Sequence, residues 1–252
     1  LALAQAHHDA RAQAEACNLL AELRWWQARN EHALQAAQEA YRLATACSNE
    51  AETLAALRLL GNAHYALGQT HQAMAYFRQA EELARQRNDE VALGWILNSI
   101  GVACISLEQF DKALEALQQA LRRLEAVDLK PRVASCLTNI GITQFHLGQP
   151  HAALDSFQRA VSVGLAGGWL VGVAYTRLEQ AEVQSYLGEY LQALAICQEA
   201  RAAFQNTNDT LGGAYVQLVQ AGEICIGLGL YSLARPALEA TLTAMRESDN
   251  PE

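Results

Sequence analysis

Apolar and polar positions alternate with the period of a helix along most of the chain. In residues 50–67, Leu54, Leu57, Leu60 and Gly61 fall at steps of three and one that share one side of an α-helix, the stripe that a helix turns toward its neighbours. Gly68 follows. Glycine takes the left-handed conformation after a helix C-terminus at least cost, so the spacing predicts a stop there. Residues 69–88 then bring Ala73, Met74, Phe77, Ala80 and Leu83 onto one face of a second helix. The turn between is only a few residues, which predicts two antiparallel neighbours. Small Ala73 and Ala80 let helices approach closely, Phe77 fills the gap between pairs, and Asn88-Asp89 supplies a turn and a cap for the next helix.

The pattern recurs at a spacing of 40. Ala33, Ala73, Ala113, Ala153 and Ala193 form one series, and Ala40, Ala80, Ala120, Ala160 and Ala200 another. The turn positions Gly68, Glu108, Gly148 and Gly188 keep the same step. A sixth copy runs one residue late, at Gly229 and Ala234, as if one residue were inserted near Thr207–Leu211. A fixed period of this length signals a repeat architecture in which each unit stacks on its neighbours. The expected helix pairs lie at roughly 10–48, 50–88, 90–128, 131–167, 169–208 and 210–248 within a single array spanning 1–252. The segment 164–169 (GLAGGW) reads as a tight interhelical turn, with a bend of the array as the other reading. Residues 1–9 align one period early with 41–49, and 249–251 align with 88–90, so the array is expected to continue in a longer protein.

Composition narrows the partners. Lys and Arg number 18 against 27 Asp and Glu, for a net charge of −9. With no basic run to track phosphates, no nucleic-acid ligand is expected. Cys17, Cys47, Cys104, Cys136, Cys197 and Cys225 form no CxxC pair and no metal-ligand spacing. Several fall on core-facing positions, so free thiols in a reducing, cytoplasmic compartment are expected. The uncharged stretch between Arg159 and Arg177 approaches the length of a membrane span. It carries Gly164, Gly167, Gly168 and Gly172 in phase with the repeat, however, so it reads as helix, turn and helix rather than membrane.

The recurring residues resemble the tetratricopeptide repeat family. The small residue of the first helix is Ala21, Gly61, Gly101, Gly141, Ala181 and Gly222, and the alanine of the second helix is Ala33, Ala73, Ala113, Ala153, Ala193 and Ala234. A large side chain four residues on reads Phe77, Leu117, Phe157, Cys197 and Leu238, with Ala37 in the first copy. The aromatic near the middle of the family's first helix is replaced by Arg24, His64, Cys104, Gln144, Gln184 and Cys225. The period also exceeds the usual 34 residues, and in this it is similar to the longer arrays of MalT-like signalling regulators and kinesin light chains. The resemblance implies an all-α solenoid of about six helix–turn–helix repeats forming a right-handed superhelix, its concave groove lined by the first helices.

Carried onto this sequence, the groove positions hold Trp25, Trp26, Arg58, Asn62, Tyr65, Trp95, Asn98, Asn139, Phe145, Tyr175, Glu179, Glu182, Tyr186 and Glu223, together with Glu15, Asn18, Glu22, Leu59 and Leu178. Aromatic rings give contact area, and amides give adaptable hydrogen bonds to a peptide backbone; the alternative is that many of the rings simply pack between neighbouring helices. Glu15, Glu22, Glu179, Glu182 and Glu223 face the single base Arg58, which favours a neutral or basic, partly apolar segment. Arg58 and Asn62 match the start of the carboxylate clamp of chaperone-binding relatives, but Ser99, Ser135 and Asn139 stand where further basic and amide groups would be needed.

No nucleophile elbow, zinc helix, P-loop or dinucleotide turn is present. Catalytic, metal and cofactor sites are therefore not expected. Three roles remain: a protein–protein interaction scaffold, a sensory or regulatory module of a larger bacterial signalling or transcription-regulator protein, and self-association. An end-on homodimer through Leu238, Leu242 and Met245 is the form expected for the third.

Overall fold

The computed structural model describes residues 9–207 without a break and, beyond them, positions 216, 224–230, 232, 234–236, 238, 239 and 243. Ten described helices follow one another: α1 (Ala10–Trp26), α2 (Asn30–Ala46), α3 (Glu50–Ala66), α4 (Thr70–Gln86), α5 (Glu90–Ser106), α6 (Phe110–Ala126), α7 (Lys130–His146), α8 (Pro150–Ala166), α9 (Leu170–Tyr186) and α10 (Tyr190–Thr207). The fold is all-α, in antiparallel pairs, as the periodicity predicts. None of these helices is long and apolar enough to cross a membrane. Glu223, Leu242 and Met245 lie outside the described residues.

Each helix from α1 to α9 has 17 residues, and each link has a left-handed residue at its centre. Those residues are Ala28, Ser48, Gly68, Asn88, Glu108, Asp128, Gly148, Gly168 and Gly188, all at positive φ. The backbone module is therefore a helix and a turn that repeat every half period, and links between pairs match links within pairs. Two hydrogen bonds close most turns. At Gly68 its N–H donates to the Tyr65 carbonyl at 2.9 Å and the Gln69 N–H to the His64 carbonyl at 2.9 Å, which satisfies carbonyls that a helix end leaves without partners. The same pair forms at Glu108, where the Glu108 N–H reaches Ile105 and the Gln109 N–H reaches Cys104, both at 2.9 Å. GLAGGW is such a turn, with Gly168 at φ +71°. The Trp169 ring lies over Gly172, where a methyl group would have no room.

The described chain divides into two compact units, one ending at Val127 and one beginning at Asp128. In the first, each helix packs on the next, and α1 meets α3 as α3 meets α5. In the second, α7 packs on α8, α8 on α9, α9 on α10, and α7 meets α9. One rule of size holds in both. A side chain at Gly61 or Gly141 would run into the ring of Phe77 or Phe157, and one at Gly101 into Leu117. Where the first helix instead carries alanine, the opposing residue shrinks: Ala21 shares a core cluster with Ala37, and Ala181 shares one with Cys197. Each large residue sits in a notch cut by glycine; Phe77 and Phe157 are 1% and 0% exposed, and burying such a side chain stabilises by about 1.5–3 kcal/mol.

Three of the positions that depart from the family's aromatic make local contacts. His64 is stacked on Tyr76 with ring centroids 5.1 Å apart, and its Nδ1 lies 2.6 Å from Gln69 Oε1. Ser156 donates to Gln144 Oε1 at 2.6 Å, and Gln184 Nε2 donates to Gln192 at 3.2 Å. Buried polar groups cost stability unless paired, and these bonds offset part of that cost, with Gln184 Oε1 buried without a hydrogen bond. Cys17, Cys104, Cys136 and Cys197 are buried and in no disulfide, and Cys47 is exposed.

Candidate functional site

The face of the first unit is built by α1, α3 and α5. Arg58 on α3 is its organising residue. The guanidinium carbon stands 5.3 Å from the centroid of Trp95 on α5, and Nη2 lies 3.9 Å from Glu22 Oε1 on α1. A guanidinium over an indole face is attracted by the ring quadrupole, at about 0.5–2 kcal/mol depending on desolvation. Three helices thus share one charge. Tyr65 reaches Ser106 with 2.8 Å between hydroxyl oxygens. Trp25 meets Trp26 edge-on with centroids 4.9 Å apart, and Trp26 remains 66% exposed. Asn62 and Asn98 are half-buried.

The second unit presents a different surface on α7 and α9. Phe145 and Tyr186 form an edge-to-face pair at 5.2 Å and 81°, and Tyr186 is 71% exposed. Glu182 lies one helical turn before Tyr186, so the two share a side of α9. With Phe145, Ser185, Tyr190, Ile226 and Gly227 they line a cleft of about 390 Å³. Tyr190 is the first residue of α10, and its ring lies against Gly227, where a Cβ would have no room. Glu179 and Asn139 are half-buried on the same helices. Thr138 and Thr176 tie α7 to α9 with 2.8 Å between hydroxyl oxygens.

Several face positions have another role. Asn18, Leu59 and Leu178 are buried, because a first helix has neighbours on both flanks and little of its circumference reaches solvent. Asn18 Nδ2 donates to the Glu52 carbonyl at 3.0 Å and carboxylate at 2.7 Å, joining α1 to α3. Tyr175 packs edge-on against Phe204 at 4.9 Å and belongs to the rim of the core. Sequence reasoning placed Gly227 on the groove of the last repeat but missed Tyr190, which opens α10. The available signal was an aromatic two residues after the turn glycine Gly188.

A second cleft, of about 350 Å³, opens on another side of the unit beginning at Asp128. Leu165, Leu170, Val173, Ala174 and Ala203 line it, with an Arg177–Glu199 ion pair. The equivalent edges of the first unit are closed by ion pairs, Arg87–Glu50 at 3.2 Å and Arg123–Glu90 at 2.9 Å. Among the described residues, no cluster of three His, Cys, Asp or Glu is placed to hold a metal ion.

Comparison with known proteins agrees with this geometry. Two tetratricopeptide repeat patterns match residues 55–87 and 92–164, and the pattern of anaphase-promoting complex subunit 5 matches 172–219. With the same helix length, turn and size rule on either side of the matched segments, the chain is an array of tetratricopeptide repeats. Regulatory protein AfsR of Streptomyces coelicolor is 27% identical over 160 residues, covering 59% of this chain; the chain spans 16% of that protein's length. The structure of the Rap conjugation gene regulator of plasmid pLS20 in complex with the Phr* peptide superposes with a TM-score of 0.80 at 14% identity, over 98% of this chain and 66% of the other. A putative kinesin light chain of Podosopora anserina with TPR-like repeats gives 0.60 at 15% identity, over 77% of this chain and 95% of the other.

Proposed function

We propose that this chain binds a peptide segment of a partner protein on its first-helix faces, and that the segment is neutral to basic and partly apolar. The observation that carries the reading is the composition of those faces. Aromatic rings and amides stand half-buried to exposed on α1, α3 and α5, and again on α7 and α9, where a bare structural array needs no such set. Rings supply contact area at low entropic cost, and amides pair with an extended backbone. The proposed role is binding without catalysis.

A second reading refines the first: the array is the peptide-responsive part of a larger regulator. The match to a regulatory protein of much greater length and the likeness to a peptide-bound Rap protein favour it. In this reading, the peptide shifts the array between arrangements and an attached domain reports the change, which requires different affinities for the two arrangements.

The test is selection from a phage-displayed random dodecamer library on the 252-residue chain, alongside Trp26→Ala/Tyr186→Ala shown by circular dichroism to be folded. Both side chains are largely exposed, so the variant is expected to keep its helices. Peptides enriched on the parent chain and at least tenfold weaker on the variant support the reading. Equal enrichment on both removes the faces as the binding surface.

A further inference from the structure

Positions that recur along the first helices have recurring surroundings, with one exception. The series Leu23, Ala63, Ala103, Thr143 and Val183 falls on the same face of α1, α3, α5, α7 and α9. The last four are at most 1% exposed, whereas Leu23 is 53% exposed. One turn earlier, Leu59 of α3 is 3% exposed and its counterpart Leu19 of α1 is 63% exposed. What covers the interior members is the repeat ahead of them. Val183 belongs to a core cluster with Ala153 and Phe157 of α8, and Ile142 and Phe145 of α7 pack against that cluster. Leu59 likewise shares a cluster with Ala21 of α1 and Ala37 of α2. The stripe that α1 turns to its own pair is closed, with Ala14, Cys17 and Ala21 at most 4% exposed. The helix is therefore well packed, and one flank of it lacks a cover. Trp26 does not count with this flank, because its counterpart Tyr186 is open on a helix that has a repeat ahead of it.

We infer that Leu19 and Leu23 seat a further helix pair of the same polypeptide, packed on α1 as α7 and α8 pack on α9. A repeat that ends an array needs a polar outer face, and α1 instead places two leucines there, one turn apart and facing the same way. They lie about 14 and 20 Å along the axis from Ala10, in the body of the helix rather than at its start. A second copy is a poorer occupant. Two leucines fall well short of the ~800 Å² that each partner gives to a standard interface. A two-fold contact across them would also draw two copies of the exposed Glu15, one turn before Leu19, toward each other. A pair in the same polypeptide needs less area, because the covalent link already holds it near its seat. Regulatory protein AfsR, of which this chain spans 16%, has room for such a pair.

Hydrogen exchange of the α1 amides tests the seat, read by mass spectrometry on peptides spanning residues 15–26. It is measured in the polypeptide as its source makes it and in the 252-residue chain. The expected result is exchange at least tenfold slower in the former. Leu19→Gln combined with Leu23→Gln is expected to remove that difference, whereas Leu170→Gln, at an exposed leucine of α9, leaves it. Both α1 leucines are more than half exposed in the 252-residue chain, so the double variant is expected to keep its helices there, as circular dichroism would show. Equal exchange in the two unsubstituted proteins overturns the inference whatever the variants do, and so does a difference that survives the double variant. Slowing of α1 in the 252-residue chain as its concentration rises would assign the flank to a second copy and overturn the inference. Slowing on addition of a selected library peptide would assign it to the peptide face, with the same consequence.

Discussion

In the unit that ends at Val127, four of five turns put a non-glycine residue in the left-handed conformation: Ala28, Ser48, Asn88 and Glu108 beside Gly68. In the unit that begins at Asp128, four of the five described turns use glycine, at 148, 168, 188 and 229, beside Asp128. Helix starts differ in the same way. Asp9, Asn49 and Asp89 accept backbone N–H groups at the head of α1, α3 and α5, whereas α7 and α9 begin after Leu129 and Trp169 with no side-chain cap. The surfaces part further: a shared arginine and edge ion pairs in one, a carboxylate beside aromatic rings and an apolar cleft in the other. One backbone template thus tolerates two local chemistries. The template is set by the small-to-large contacts between helices, and the rest of the sequence is free to carry a surface.

The comparison breaks first if those contacts are unequal. Phe77→Ala and Phe157→Ala each empty a notch of the same kind, and each is expected to cost about 3–5 kcal/mol, read as a lower denaturation midpoint in urea. A large loss in only one would show that the two units are not held by one rule. Next in size, Gly141→Ala is expected to cost about 1–3 kcal/mol by crowding Phe157. In a Phe157→Cys background the added cost should nearly disappear, because that pair reproduces Ala181 with Cys197; a full cost in both backgrounds would refute the coupling.

The turns sharpen the contrast at about 1 kcal/mol. Gly148→Ala places a Cβ in the left-handed region and should destabilise by roughly that amount, while Glu108→Gly should be neutral to slightly stabilising as strain and chain entropy offset. Thermal midpoints of the two variants moving together would contradict the assignment. The smallest effect is chemical. Burial pushes the Cys17 and Cys104 thiols above their ordinary range, so both should stay protonated and react slowly with a thiol reagent at pH 8, with Cys47 reacting at once. The sign is that of an acid favoured neutral: its contribution holds below the ordinary thiol pKa and is lost as pH rises through the raised one. Mass mapping of the first alkylated cysteine checks it, and early modification of Cys17 or Cys104 would count against their burial.

The helices were legible because close packing leaves a trace that substitution cannot hide: Ala73 and Ala80, and their copies, must stay small wherever two helices touch. Gly68, Gly148 and Gly188 were legible for the same kind of reason, a conformation that favours one residue. Glu108 was legible only by its step of 40 from Gly68, and the turns at Ala28 and Ser48 were not, because helix-end hydrogen bonds hold the left-handed conformation there without glycine. At the surface, Trp26 and Tyr186 read as open positions and are open. Asn18, Leu59 and Leu178 share their spacing but are buried, since the flanks of a first helix are covered as well as its inner stripe. The cleft at Glu182 could only be assembled in three dimensions, because Tyr190 and Gly227 reach it from outside that helix.

The uniform turn has a consequence for how such a chain can change length. Because every described link between helices centres on a left-handed residue, a stretch of coding sequence that spans one whole repeat can be copied or lost without creating a joint of a new kind. A change of half a repeat would keep the turn but exchange the partners of every later helix, setting glycine notches against small residues and rings against rings. Growth by whole repeats is therefore the tolerated step, and any surface specificity, such as the cleft at Glu182, is free to diverge afterwards in one copy alone.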